Sequence, residues 1–147
     1  MICGSAAGEK SAVVGQYYAG PGNRFWKTLA EVGLTPRELT PAEYALLDWG
    51  IGLTDLVKDQ KGVDLGINFA GDGAKVLRRK VRDFEPRYLA FNGKRVAQEF
   101  FGLTKVEYGL HSRMGGTGVF IVPSTSAAAK GAWDIAYWRQ LAKLVEG

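Results

Sequence analysis

The residues of this chain able to do chemistry fall in four short stretches, each with polar or small residues beside an apolar run. The first is Tyr17-Tyr18-Ala19-Gly20-Pro21-Gly22-Asn23-Arg24-Phe25-Trp26. Gly20-Pro21-Gly22 forbids helix through φ freedom and a missing donor, so the two tyrosines sit in a loop where a flat ligand can stack on an exposed ring. Asn23 follows as the N-cap candidate of the first helix. In the second stretch, Gly50 to Val57, Asp55 lies between Leu53 and Leu56-Val57. A carboxylate embedded in apolar sequence is either a hydrogen-bonded cap or a pocket group, and the sequence leaves both open. Asn92-Gly93-Lys94 turns a buried strand into a helix, where a lysine beside free backbone N–H groups suits a phosphate. Val122-Pro123-Ser124-Thr125-Ser126-Ala127 ends another strand with three hydroxyls. Stacking, proton transfer and anion binding are the chemistries on offer. With one histidine and one cysteine, the chain has almost no way to assemble a zinc site or a Ser-His-Asp triad. His111 reads as a loop residue rather than a catalyst.

These stretches need a scaffold that brings them together. Met1-Ile2-Cys3 reads as the end of a strand that opens into the turn Gly4-Ser5-Ala6-Ala7-Gly8. Three residues are short for a strand, so its first half is expected to precede this sequence. The loop from Gly4 to Gly22 is long for a compact domain and therefore expected to be functional. A Rossmann dinucleotide site is the alternative there, but no G-x-G-x-x-G follows the strand. Phe25, Trp26, Leu29 and Val32 recur at helical spacing, with Gly33 as the stop. Thr40-Pro41-Ala42-Glu43 fits a capping box opening a short helix through Leu47. Gly73 to Phe84 predicts an amphipathic helix with Val76, Leu77, Val81 and Phe84 inward. Its Lys75, Arg78, Arg79, Lys80 and Arg82 form a basic, solvated outer face. Tyr88 to Phe91 and Val119 to Val122 read as buried strands, the first followed by a helix ending near Phe101. Trp133, Ala136, Tyr137, Leu141 and Leu144 predict a closing amphipathic helix. Strands separated by helices imply a three-layer α/β/α sandwich with a mostly parallel central sheet, whose strand carboxyl ends gather the four stretches.

A length of 147 residues fits a single domain spanning 1–147, large enough for a proper core. Hydrophobic residues at 46% and charged residues at 23% are ordinary globular values and disfavour a disordered chain. No apolar run approaches a membrane span, and the N-terminus has no signal-peptide pattern, so a cytoplasmic, membrane-free protein is expected. Cys3 in its short apolar run predicts a buried small hydrophobe. The net charge of +4 suits a phosphate-rich partner without demanding one.

In order and approximate spacing, the four stretches together resemble the mismatch-specific uracil/thymine-DNA glycosylase family of the uracil-DNA glycosylase superfamily, over nearly the whole chain. The resemblance implies a monomeric, cofactor-free repair enzyme, nucleoid-associated in a bacterium. It would extrude a uracil or a related damaged base from DNA, hydrolyse its N-glycosidic bond and leave an abasic site. Tyr18 would stack on the base, with Tyr17, Ser5 and Ala6 beside it. Lys94, Ser124, Ser126 and Lys130 would grip flanking phosphates, and Ala127 and Ala128 would occupy the place of the wedge. The family's first motif reads Gly-Ile-Asn-Pro-Gly, and its Asn holds the attacking water; here Ala6 stands in that place. Asp55 falls where the family has a base-contacting Asn or Lys. Asn23 and Asp55 are therefore the candidate catalysts. An Asn in a similar Asn-Arg-Phe-Trp segment serves a hypoxanthine-acting branch. A non-catalytic binder of abasic sites or mismatches is the alternative, and a module for free nucleotides is a third.

Overall fold

In the computed structural model of this chain, all residues are described except 7, 9–10, 12–15, 43–44, 59 and 62–66, with only the backbone at 45, 47 and 130. Five strands form one sheet in the order β2-β1-β3-β5-β4: β1 (Ile2–Gly4), β2 (Leu53–Asp55), β3 (Tyr88–Asn92), β4 (Gly109–Leu110) and β5 (Gly118–Val122). All neighbours pair in parallel except β4 on β5. The central strands are buried on both faces, and their near-continuous apolar runs reflect that. Their alternation divides the core. Ile2, Ala90, Phe120 and Val122 pack with Phe25, Leu29, Trp138 and Leu141 on one face. Cys3, Leu89, Phe91, Val119 and Ile121 pack with Leu77, Val81, Val96 and Phe100 on the other.

Helices α1 (Phe25–Glu31) and α4 (Ile135–Glu146) cover the first face; α2 (Gly73–Phe84) and α3 (Lys94–Phe101) cover the second. The fold is the expected α/β/α sandwich. The chain leaves β1 toward one face and β3 toward the other, so their adjacent carboxyl ends diverge. A ligand crevice opens at such a switch point. Gly93, at φ 117, begins α3; a Cβ there would lie 3.2 Å from that of Ser124. Gly73 is required for another reason, because a side chain would overlap the carbonyl oxygen of Leu56.

Several local readings are corrected. Arg24, not Asn23, is the N-cap of α1, and Asn23 Oδ1 accepts the Phe25 N–H at 3.0 Å from one residue further out. Phe84 is 73% exposed, because α2 ends there and its core stripe is spent on Leu77 and Val81. Lys80 turns inward from the otherwise exposed basic face, with its Nζ donating to the buried Thr54 Oγ1 at 2.8 Å. The segment ending at Leu47 is a 3-10 turn, Ala45–Trp49; Glu43 of the capping box lies outside the described residues. The closing helix begins after Trp133, with Asp134 Oδ1 accepting the Ala136 N–H at 2.9 Å. Cys3 is buried as expected, and burial pushes its thiol pKa well up.

Candidate functional site

The four loops meet at the carboxyl edge. Asn92, at the end of β3, donates through Nδ2 to Thr125 Oγ1 at 3.0 Å and accepts the Thr125 N–H at 3.1 Å. Thr125 in turn accepts the Arg24 N–H at 2.9 Å, joining the segment after β5 to the start of α1. Gly22 completes this closure, since a Cβ there would stand 3.1 Å from that of Ala127. Together they enclose a cavity of about 990 Å³. Ser5, Ala6, Tyr17, Tyr18, Asn23, Asp55 and Lys94 all line it, as do Ser124, Ser126, Ala127 and Ala128. The side chain of Lys130 lies outside the described residues. His111 stacks on Phe101 at 4.6 Å, away from the cavity.

Tyr18 differs from a freely exposed ring. Its backbone is left-handed at φ 52, an uncommon conformation for a bulky residue and one that collects at functional sites. One ring face stacks on Phe25, with centroids 4.0 Å apart, so only the other is open to a ligand. Its hydroxyl is buried without a hydrogen-bond partner among the described residues. Burial, and then the nearby Asp55 charge, raise its pKa; Asn92 lowers it somewhat without reaching hydrogen-bond geometry. The phenol therefore remains a proton donor. Tyr17 sits at the mouth, its ring centroid 6.1 Å from that of Tyr18 and its hydroxyl 3.1 Å from Lys58 Nζ.

Asp55 ends β2 in register with Gly4 of β1. It is not a cap, for no hydrogen bond reaches its carboxylate among the described residues. A Cβ on Gly4 would lie 3.0 Å from Asp55 Oδ1 and 3.1 Å from the Tyr18 hydroxyl. Only glycine leaves both oxygens beside the same small space. Burial raises the Asp55 pKa above the usual carboxylate value, and Lys58 and Lys80 pull it back down. Ser124 Oγ and Ser126 Oγ accept the backbone N–H groups of Ser126 and Ala128, each at 3.2 Å, and keep their O–H donors for a ligand. Lys94 Nζ stands 4.5 Å from the centroid of the Tyr108 ring at the start of α3.

Lys58, Asn92 and Tyr108 also line the cavity, and the residue-by-residue reading of the sequence did not single them out as site residues. Asn92 had a signal, an amide inside an apolar strand end; Lys58 and Tyr108 lie in segments without periodic pattern.

Asn23 presents a sharper choice. Its Oδ1 is oriented by the Phe25 N–H, which turns Nδ2 into the free donor. Asn23→Asp keeps the acceptor, so stability should hold, whereas single-turnover turnover of bound substrate should fall about tenfold, or roughly 1.4 kcal/mol of barrier. Asn23→Ala should add a stability loss of about 1 kcal/mol, seen by denaturant titration. Full activity in Asn23→Asp would reduce the residue to a cap.

A crevice at a switch point, lined by one open aromatic face, a half-buried carboxylate, a buried hydroxyl, and lysine and serine donors, defines an α/β protein with a polar, aromatic-walled site at the carboxyl edge of its sheet. The family model for the uracil DNA glycosylase superfamily matches residues 1–142, and the chain belongs to that superfamily. Membership supports a glycosylase hydrolase acting on damaged bases in DNA, in base excision repair. No helix among the described residues is long and apolar enough to cross a membrane.

Proposed function

We propose that the protein is a monofunctional DNA glycosylase of the mismatch-specific kind, hydrolysing the N-glycosidic bond of uracil or a related deaminated base flipped out of DNA, without a cofactor. The observation that carries this reading is the buried Tyr18 hydroxyl, unpartnered among the described residues, beside Asp55 at Gly4. An unsatisfied buried donor costs about 1–3 kcal/mol in the free protein, and a ligand acceptor restores what folding left unmade.

Each residue then has a role. The extruded base stacks on the open face of Tyr18, next to Tyr17 and the Ser5-Ala6 turn. As the C1′–N bond breaks, its electron pair passes to the base, where the Asn23 donor stabilises that charge. The Tyr18 hydroxyl lies in the plane of its own ring, past the stacked base, and donates to the attacking water beside Asp55. Asp55, ionised, faces the cationic sugar and takes a proton from the water whose oxygen bonds to C1′. This replaces the water-holding side chain that Ala6 lacks. Lys94, Ser124 and Ser126 hold flanking phosphates, with Lys130 as a further cation. Ala127 and Ala128 stand against the vacated stack.

The test is a duplex oligonucleotide bearing one uracil, incubated with the protein and treated with alkali. Strand scission at the uracil is expected. Tight binding to abasic DNA without scission would favour the binding-only alternative, which rests on Ala6. Affinity for an abasic duplex should also fall about fortyfold between 50 and 200 mM salt if three phosphates are neutralised. A dissociation constant indifferent to salt would remove nucleic acid as the ligand.

A further inference from the structure

Lys80 is unlike the other cations of α2. Lys75, Arg78, Arg79 and Arg82 are exposed, while Lys80 is half-buried with its ammonium on Thr54 Oγ1. Thr54 is itself buried, 3% exposed, and immediately precedes Asp55 on β2. A second cavity of about 450 Å³ lies on this side of the sheet, bordered by Thr54, Lys58, Asp72, Lys80 and Glu99. Asp55 and Lys58 border both cavities, whereas Lys80 borders only the second.

The charges around Asp55 come from several elements. Lys58 follows β2, Lys80 comes from α2, and Tyr18 and Cys3 approach from the β1 side. Burial keeps the phenol and the thiol protonated, so neither supplies charge. Asp72 and Glu99 lie across the second cavity, and Glu99 is occupied by Arg95 at 2.9 Å. Lys58 is exposed and reaches toward Tyr17 at the mouth, where water screens it. Lys80, anchored on the residue that precedes Asp55 and lining only the second cavity, is the cation fixed on the side that a base in the first cavity does not occupy.

We infer that Lys80 is a positioning residue for the glycosylase reaction proposed above: anchored on Thr54, it holds a positive charge behind Asp55 and keeps that carboxylate ionised while a bound base dries the front of the site. The inference rests on that functional reading. The physics is direct. Docking a base removes water from Asp55 and favours its protonated form, and a nearby fixed cation opposes this more strongly as the dielectric falls.

Lys80→Gln keeps a donor for Thr54 and removes the charge; Lys80→Arg keeps the charge. The carboxyl carbon of Asp55 is titrated by NMR, assigned by its absence in Asp55→Asn, and the pH profile of single-turnover excision of uracil from a duplex is measured alongside. In Lys80→Gln the Asp55 midpoint should rise by at least about half a pH unit, and the acidic limb should move with it, a loss of about threefold below the limb. Lys80→Arg should restore both. Should Lys80→Gln fail to fold, Thr54→Val removes the anchor and should move the midpoint in the same direction. An unmoved midpoint in a folded variant overturns the positioning role. A moved midpoint in a protein that excises nothing overturns the glycosylase reading instead.

Discussion

Asp55→Asn is expected to lower single-turnover excision about a thousandfold while making the protein more stable at neutral pH. General acid–base groups contribute 10²–10⁴ in rate, roughly, and Asp55 here also faces the charge that develops on the sugar. The stability sign follows from its raised pKa. A carboxyl whose folded pKa lies above its unfolded value binds its proton more tightly in the native state, so its contribution to stability is complete below the unfolded pKa and lost as pH rises through the folded one. At neutral pH the wild-type carboxylate is therefore a burden that asparagine lifts. The melting-temperature advantage of Asp55→Asn should shrink as pH falls toward the unfolded value of 3.8. Over the same range wild-type excision should decline as Asp55 protonates. Equal rates for the two proteins at pH 7 would return Asp55 to a structural role.

Tyr18→Phe is the second such case. The substitution keeps the ring on Phe25 and deletes only the orphan hydroxyl. Because that oxygen has no partner among the described residues, its removal should stabilise the fold by about 1–3 kcal/mol, measured by denaturant unfolding. Excision should nevertheless fall about a hundredfold, the lower end of what a group that orients proton transfer contributes. Tyr18→Ala separates ring from hydroxyl. It should lose a further 1–3 kcal/mol, roughly, of base stacking and also the packing on Phe25, so its stability falls where that of Tyr18→Phe rises. A phenylalanine variant that is destabilised and fully active would show the hydroxyl to be bonded in solution and idle in catalysis.

Much of this arrangement was legible in the residues. The buried strands Tyr88–Asn92 and Gly118–Val122 announce themselves as apolar runs cut by a glycine turn and by Pro123, and the helices of the sandwich by their 3.6-residue stripes. Because parallel strands separated by helices align their carboxyl ends, the four loops at those ends had to converge, and eleven of the proposed site residues do line one cavity. Local pattern ended there. β2 and β4 are three and two residues long, and their pairing comes from β1 and β5 rather than from any period of their own.

The finer chemistry was decided only in three dimensions. That the Asp55 carboxylate, unbonded among the described residues, has open space beside it depends on Gly4, fifty-one residues earlier, standing opposite it. The Tyr18 hydroxyl is buried where its ring, stacked on Phe25, reaches Gly4 of β1. Lys80 and Phe84 exchange their expected environments, one turning to Thr54 and the other to solvent. Periodicity reports which side of an element faces the core, a property of neighbours along the chain. Which charge lies behind a carboxylate, and which donor goes unpaired, depend on residues that only folding brings together.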